Sequence, residues 1–379
     1  MSKGAGVSRA KKTKRSGPSV LLDMRPLQGP SAGRGVGTYA KGLLAGLAEI
    51  GFDANVTLLL DAGLDAPDLP SGGYDVAQTR HRYHGQLAGY EDAAVLGLDL
   101  RKLRPDVYHA INLWLPGRPP CPLVVTLHDL IPWAWGGPRM IGERFRYWLG
   151  KRTLKSADMV LAVSQATADD AVRFARVERD RMRVVPEAAA AIYRPQAGAA
   201  ERVRERWNLE PGYLLFVGAL DARKDPAALL AAWKAAQAQR PGVRLVIAGD
   251  PGRQAPAHMP GTTMLGRIPE PELADLYTAA GCFIFPSRYE GFGLPCLEAM
   301  ACGCPVAAYR NSSLPEVVDG AGTLVADGDA RALGVAAAEM LAAPDKWREM
   351  GLARARLFDW GKAASRTVEA YEAVVSRLR

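Results

Sequence analysis

Short apolar runs rich in β-branched and aromatic residues alternate with stretches of helical periodicity along most of this chain. That alternation predicts parallel sheets covered by helices on both faces, because parallel strands need crossovers and helices supply them. The fold class is α/β. In a first round, Val20 to Leu22, Val56 to Leu60, Val107 to Ala110, Val124 to Leu127 and Met159 to Val163 read as strands, closed by Val184 and Val185. A glycine-rich loop from Gly29 to Gly37 precedes a helix from Tyr39 to Ile50, and a basic helix is predicted over Gly142 to Ser156. The second round runs through Leu214 to Val217, Arg244 to Ala248, Met264 to Leu265, Cys282 to Phe285 and Val306 to Ala307, with helices from Pro226, Pro271 and Pro295. Pro195, Gly198 and several alanines between Arg194 and Ala200 mark a boundary between the rounds. At 379 residues the chain holds two such domains, each with a full core. Two α/β halves facing each other form a cleft at the carboxyl ends of their strands, where ligands bind.

A formal net charge of +8 would suggest a nucleic-acid partner if it were spread over the folded body. Six of those charges (Lys3, Arg9, Lys11, Lys12, Lys14 and Arg15) fall in the first eighteen residues with no acid among them, so the rest carries only +2. No nucleic-acid partner is expected. The same segment lacks the apolar run of a secretory signal, which predicts a cytoplasmic chain with a disordered basic tail over residues 1–18; weak attraction of that tail to acidic lipid is the competing reading. No stretch approaches the roughly 18 to 20 uninterrupted apolar residues of a spanning helix. Cys302 and Cys304 have no His or second Cys pair at a zinc-site distance, so buried thiols are expected and no metal.

In VGALDARKDP a strand ends at Val217, Gly218 permits a tight turn, and Asp225 with Pro226 has the form of an N-cap and first helical residue. Arg223 and Lys224 thus precede a helix start, where free N–H groups and the helix dipole already favour an anion. Arg clamps phosphate bidentately and Lys adds a mobile point charge, and a surface loop with two solvated cations is the evenly matched alternative. In PSRYEGFGLPCLEAMACGCPV, seven residues separate Glu290 from Glu298, Gly291 and Gly293 leave the backbone bare, and Pro295 starts a helix aimed at a diphosphate. An ionised carboxylate only accepts hydrogen bonds, so it suits a sugar or ribose diol rather than a phosphate. This predicts Glu298 on ribose and Glu290 on the transferred sugar, with the diphosphate between them on amides, Arg223 and Lys224. Taken singly, Glu290 reads more simply as a loop carboxylate satisfied by nearby amides and Glu298 as a first-turn acid favoured by the dipole.

Together these residues resemble the retaining glycosyltransferases of family 4, especially bacterial mannosyltransferase-like members, from about Val20 to the end of the chain. EGFGLPCLE from Glu290 to Glu298, DMVLAVSQAT, SSLPEVV and the closing FDWGKAASRTVEAY carry the resemblance. It implies a GT-B fold, with two Rossmann-like domains facing each other across a cleft and a C-terminal helix crossing back to the first domain. The expected divisions are an acceptor-side domain over 19–195, a nucleotide-sugar-binding domain over 196–355 and the returning helix over 356–379. The resemblance also implies the site. Donor binding falls to Gly35 and Gly37 in GRGVGTYA, Gly218, Gly291, Phe292, Gly293, Leu294 and Glu298; catalysis falls to His128 in VVTLHDL, Glu290, Arg223 and Lys224. Ala219 stands where many relatives have Arg, and Ala188 where they often have Gly.

Several residues admit two readings. GVGTYA fits the dinucleotide fingerprint GxGxxA, but twelve residues separate Leu22 from Gly35 where that motif follows its strand directly. His128, beside Asp129 at a strand end, is either a satisfied core histidine or a catalytic group. Trp133 and Trp135 stack on an acceptor sugar or pack, and Ser164 has the look of a helix N-cap. The 142–156 helix lies on a membrane surface near a lipid-linked acceptor or packs on its own sheet. The expected activity is metal-independent, retaining transfer of a hexose, with mannose favoured, to a hydroxyl of a glycan, glycolipid or small molecule. The donor is a nucleotide diphosphate sugar, GDP-mannose in preference to a UDP-sugar, and no cofactor is expected. The alternatives are an epimerase or phosphorylase of the same fold, and a non-catalytic nucleotide-sugar-binding protein. The expected location is the cytoplasm, with peripheral contact to the inner face of the membrane.

Overall fold

A computed structural model describes residues 17–29, 32–33, 35–79, 88–113, 119–136, 150–252 and 261–377. The short apolar runs form two wholly parallel sheets among these residues. The first has seven strands in the order β3 (Asp75–Thr79), β2 (Val56–Asp61), β1 (Val20–Asp23), β4 (Val107–Ala110), β5 (Leu123–Leu127), β6 (Met159–Ala162) and β7 (Met182–Val184). The second has six, in the order β10 (Thr262–Gly266), β9 (Leu245–Ala248), β8 (Leu214–Val217), β11 (Cys282–Phe285), β12 (Val306–Tyr309) and β13 (Thr323–Val325). Central strands such as β4, β5 and β11 are buried along their whole length, as sheets covered on both faces require. The α/β fold class and the GT-B arrangement of two Rossmann-like domains are as expected.

Strand order fixes where a ligand goes. In the first sheet β2 and β4 both pair with β1 at Val20, and the order reverses between β1 and β4; in the second it reverses between β8 and β11. Crevices open at such switch points, outside the carboxyl ends of the strands. The loops leaving β8 and β11 are those that carry Arg223, Lys224 and Glu290.

The last helix, Trp360–Ser376, packs on the helix Gly35–Glu49 of the first domain. Small residues allow the approach: a Cβ on Gly42 would lie 2.1 Å from the Trp360 ring, and one on Gly46 2.2 Å from the Trp360 carbonyl oxygen. Tyr371 of this helix is hydrogen-bonded to His109 Nδ1 on β4 (2.6 Å), and His109 Nε2 to Thr126 Oγ1 on β5 (2.8 Å). Burial pushes His109 down to about 3, so the imidazole is neutral in this core.

Some local expectations fail. The helix assigned to Tyr39 onward begins at Gly35, so Gly35 and Gly37 lie in its first turn and not in a loop. Buried Tyr39, Ala40, Leu43, Leu44 and Leu47 recur at helical spacing, and that packing overrides the poor propensity of the glycines. Strands β3 and β13 are additional to those foreseen, as is the helix Ala88–Leu103. Of the predicted basic helix, residues 150–156 are helical and 137–149 lie outside the described residues, as does the basic tail over residues 1–16. No helix among the described residues is long and apolar enough to cross a membrane. Cys282, Cys296, Cys302 and Cys304 are buried free thiols.

Candidate active site

The loop after β8 is shaped by Asp221, whose Oδ1 accepts the backbone N–H groups of Arg223 and Lys224 at 3.0 Å each. Asp225 then caps the helix Pro226–Gln239 by accepting from the Ala228 N–H (3.0 Å), the cap foreseen from sequence. Both cations are turned toward the loop after β11. Arg223 Nη1 donates to the Tyr289 carbonyl (2.8 Å) and to Glu290 Oε1 (2.7 Å), and Lys224 Nζ donates to the same Oε1 (2.6 Å), joined there by the Ser287 hydroxyl. Burial alone would raise the Glu290 carboxyl, but Arg223 and Lys224 outweigh it and hold it down at about 2.

This crowding is one-sided. Glu290 Oε2 accepts from none of the described residues, and Arg223 Nε and Nη2 donate to none. The cluster therefore offers donors to an anion and an acceptor to a hydroxyl side by side.

The Glu290 loop is clamped from behind. Ser312 Oγ accepts from the Glu290 N–H (2.9 Å), and Ser313 Oγ donates to the Phe292 carbonyl (2.6 Å). Gly293, at φ +107°, caps the helix Leu294–Ala301, a conformation that favours glycine. Glu298, in that helix, is buried, accepts from the Tyr277 hydroxyl (3.2 Å) through Oε2 and leaves Oε1 without a donor among the described residues. Burial outweighs that bond and pushes Glu298 up to about 7. Phe292 is buried edge-on against Phe358 (5.8 Å), so it offers the cleft its backbone and not its ring.

The first domain supplies the facing wall. His128 follows β5 with Nε2 3.0 Å from the Ile111 carbonyl and Nδ1 3.2 Å from Glu187, and its ring meets Tyr39 edge-on at 4.9 Å. Asp129 uses Oδ1 to accept from the Ile131 N–H (3.0 Å), and burial raises its carboxyl. Gly291 sits directly against this wall: a Cβ there would be 1.9 Å from the His128 carbonyl oxygen. Gly35 is also at the interface, its Cβ position 4.0 Å from Leu294 Cδ1. Gly218, at φ +143°, lies next to Lys224 Cε, and Gly37 is buried against the Ala32 backbone of the turn before its helix. Trp133 packs in the first domain's core with Lys151 over its ring.

Hydrogen bonds close the domains on each other. Ser164, the N-cap of the helix Gln165–Asp170 as foreseen, donates with Thr167 to the Gly291 carbonyl (2.6 and 3.0 Å). Glu316 reaches across to accept the Gln165 and Ala166 N–H groups (2.7 and 2.8 Å), and the Tyr289 hydroxyl donates to Asp170. Glu316, Tyr289 and Glu187 were not singled out from sequence; the Ser/Thr/Asp N-cap pattern at Ser164 was visible, its carboxylate partner some 150 residues away was not. Charge-assisted bonds of this kind are each worth roughly 1.5–3 kcal/mol. Glu316→Ala is therefore expected to open the ligand-free protein, seen as a larger radius of gyration in solution scattering; an unchanged radius would show that the other bonds suffice.

Two parallel-sheet domains, with cations and hydroxyl acceptors gathered where they meet, give this chain the GT-B arrangement. The family described as Glycosyltransferase Family 4 matches residues 33–189, and that described as Glycosyl transferases group 1 matches residues 199–355. O-antigen chain mannosyltransferase B of Escherichia coli is 33% identical over 72% of this chain and 76% of its own length. Among solved structures, sucrose-phosphate synthase from Thermosynechococcus elongatus superposes with a TM-score of 0.76 at 23% identity, covering 94% of this chain and 99% of that one. Anabaena HepE, solved in complex with UDP and glucose, gives 0.69 at 17% identity, over 93% and 98%. The chain belongs to glycosyltransferase family 4 and is of the bacterial mannosyltransferase type.

Proposed function

We propose that this glycosyltransferase moves a hexose, mannose in preference, from a nucleotide diphosphate donor, GDP-mannose in preference, to a hydroxyl of a glycan or lipid-linked acceptor, with retention and without a metal. One observation carries the reading: Arg223 and Lys224 converge on one oxygen of Glu290 while keeping unused donors beside its unused acceptor. A sugar diphosphate has that composition, anion next to hydroxyls. The mannose preference is supported by the E. coli mannosyltransferase, and a nucleotide donor by the UDP and glucose of HepE.

In this mechanism charge builds on the departing nucleoside diphosphate as the glycosidic bond breaks. Arg223, Lys224 and the N-terminus of the Leu294–Ala301 helix are preorganised to receive it, which lowers the barrier more than any contact made equally before the transition state. Glu290 steadies the hexose through its free oxygen. The acceptor hydroxyl attacks from the leaving-group side and gives its proton to the departing phosphate oxygen. Domain closure through Gly291 excludes water that would otherwise take the sugar.

A screen of GDP- and UDP-sugars for protection against thermal unfolding, followed by product analysis with the protecting donor, tests this. Protection by no nucleotide sugar would end it.

Glu298 supplies a pH signature. Raised from the ordinary 4.5 to about 7, it favours folding below the lower value and loses that contribution as pH rises through the higher one. A ribose diol bonded to the carboxylate stabilises the ionised form, so nucleoside diphosphate affinity should rise between about pH 6 and 8. Phosphate titration contributes in the same range, and Glu298→Gln separates the two: its calorimetric profile should be flatter than that of the wild type. Coincident profiles would remove Glu298 from the ribose.

A further inference from the structure

Glu187 follows β7 in the stretch VVPEAAAA, where neither motif nor periodicity marks it. It is nevertheless 3% exposed, a rare setting for a carboxylate, and it sits on His128, whose carbonyl meets Gly291 of the second domain. Oε1 is 3.2 Å from His128 Nδ1.

The hydrogen-bond inventory of His128 decides what this means. A carbonyl and an ionised carboxylate both only accept, so Nε2 donates to the Ile111 carbonyl and Nδ1 donates to Glu187 Oε1. Tyr39, itself bonded to Thr126 (2.9 Å), blocks the ring from turning. Neither ring nitrogen is left for a sugar. Glu187 Oε2, in contrast, receives no hydrogen bond from the described residues. A nearly buried carboxylate with one oxygen unserved has an unmet demand for donors. Hydroxyls are donors that meet it, whereas a diphosphate would be repelled.

We propose that Glu187 is a hexose-binding residue of this site, held on the His128 ring by Oε1 and accepting a hydroxyl of the transferred sugar at Oε2. The hydrogen-bonding group on this wall is then the carboxylate, and His128 is its positioning residue. This assignment rests on the nucleotide-sugar reading above and extends it to a third carboxylate.

Calorimetric titration of wild type, Glu187→Ala and Glu187→Gln with GDP and with GDP-mannose tests it, with UDP and UDP-glucose as a second pair of probes. A residue that touches only the hexose predicts nucleoside diphosphate affinity within twofold of wild type for both variants. Nucleotide-sugar affinity should fall at least tenfold in Glu187→Ala. It should fall less in Glu187→Gln, whose amide oxygen still serves His128 while its amide nitrogen replaces the acceptor. Glu187→Gln preserves volume and carries the test if the alanine variant fails to fold. Equal losses for nucleotide and nucleotide sugar, or no loss for either, overturn the assignment and leave a structural carboxylate. A wild type that binds neither pair of probes overturns the nucleotide-sugar reading itself, and the assignment with it.

Discussion

Glu290→Gln is expected to lower kcat for transfer by roughly 10³-fold, the upper range for removing one preorganised polar group from an active site. The substitution keeps shape and removes charge. Glutamine can still accept through its amide oxygen, but Arg223 and Lys224, which both donate to Glu290 Oε1 within 2.7 Å, lose the anion between them. All three side chains are less than one-fifth exposed, so solvent screens the remaining pair poorly. Breaking such a pair costs on the order of 3 kcal/mol, roughly 6–12 °C of Tm for a domain of this size. A second outcome separates a site residue from a structural one. Nucleoside diphosphate should restore more of the lost Tm in the variant than it adds to the wild type, because its phosphates replace the missing counter-charge. Normal turnover, or equal stabilisation of both proteins, would remove Glu290 and its two cations from the site.

What the sequence reveals of this arrangement follows from how far each signal reaches. Runs such as CFIF at Cys282 to Phe285 announce a buried parallel strand because every residue faces a covered layer. DVAQT at Asp75 to Thr79 does not, because it is an edge strand with three exposed positions and an ordinary polar composition. Arg223, Lys224 and Glu290 are legible since their meaning is local: each follows a strand end and precedes a helix start. Gly35 and Gly37 mislead for the complementary reason. Glycine codes for a loop locally, but packing of Tyr39 and the leucines behind it extends the helix backward. Glu187 and Glu316 carry no local signal at all. The first earns its place from a histidine 59 residues away and the second from N–H groups 151 and 150 residues away, so only the tertiary fold creates their chemistry.

Gly291→Ala should impair transfer by about 10²-fold or more while leaving nucleoside diphosphate affinity within a few-fold of wild type. The added methyl would lie 1.9 Å from the His128 carbonyl oxygen and 3.0 Å from Asp129 Cβ, and the nearer of these is backbone that cannot swing aside. Something must move by more than an ångström. Core strand β5 holds His128 on one side, and Ser312 and Ser313 hold the Glu290 loop on the other, so the softest response is separation of the two domains. Separation also releases the Gly291 carbonyl from Ser164 and Thr167. The second domain keeps Arg223, Lys224 and Glu298 together and still binds nucleotide, but the first-domain wall of His128 and Glu187 no longer faces the hexose, and displacements of an ångström suffice for losses of this size. Scattering should report a larger radius for the variant with donor bound, and donor hydrolysis should rise relative to transfer because water enters. Gly293→Ala supplies the contrast: φ +107° strains its own loop, and the contact at 2.8 Å is with the Leu314 side chain of the same domain. That variant should weaken nucleotide binding without opening the protein. If Gly291→Ala closes normally and transfers at the wild-type rate, the contact between Gly291 and His128 is not part of the catalytic arrangement.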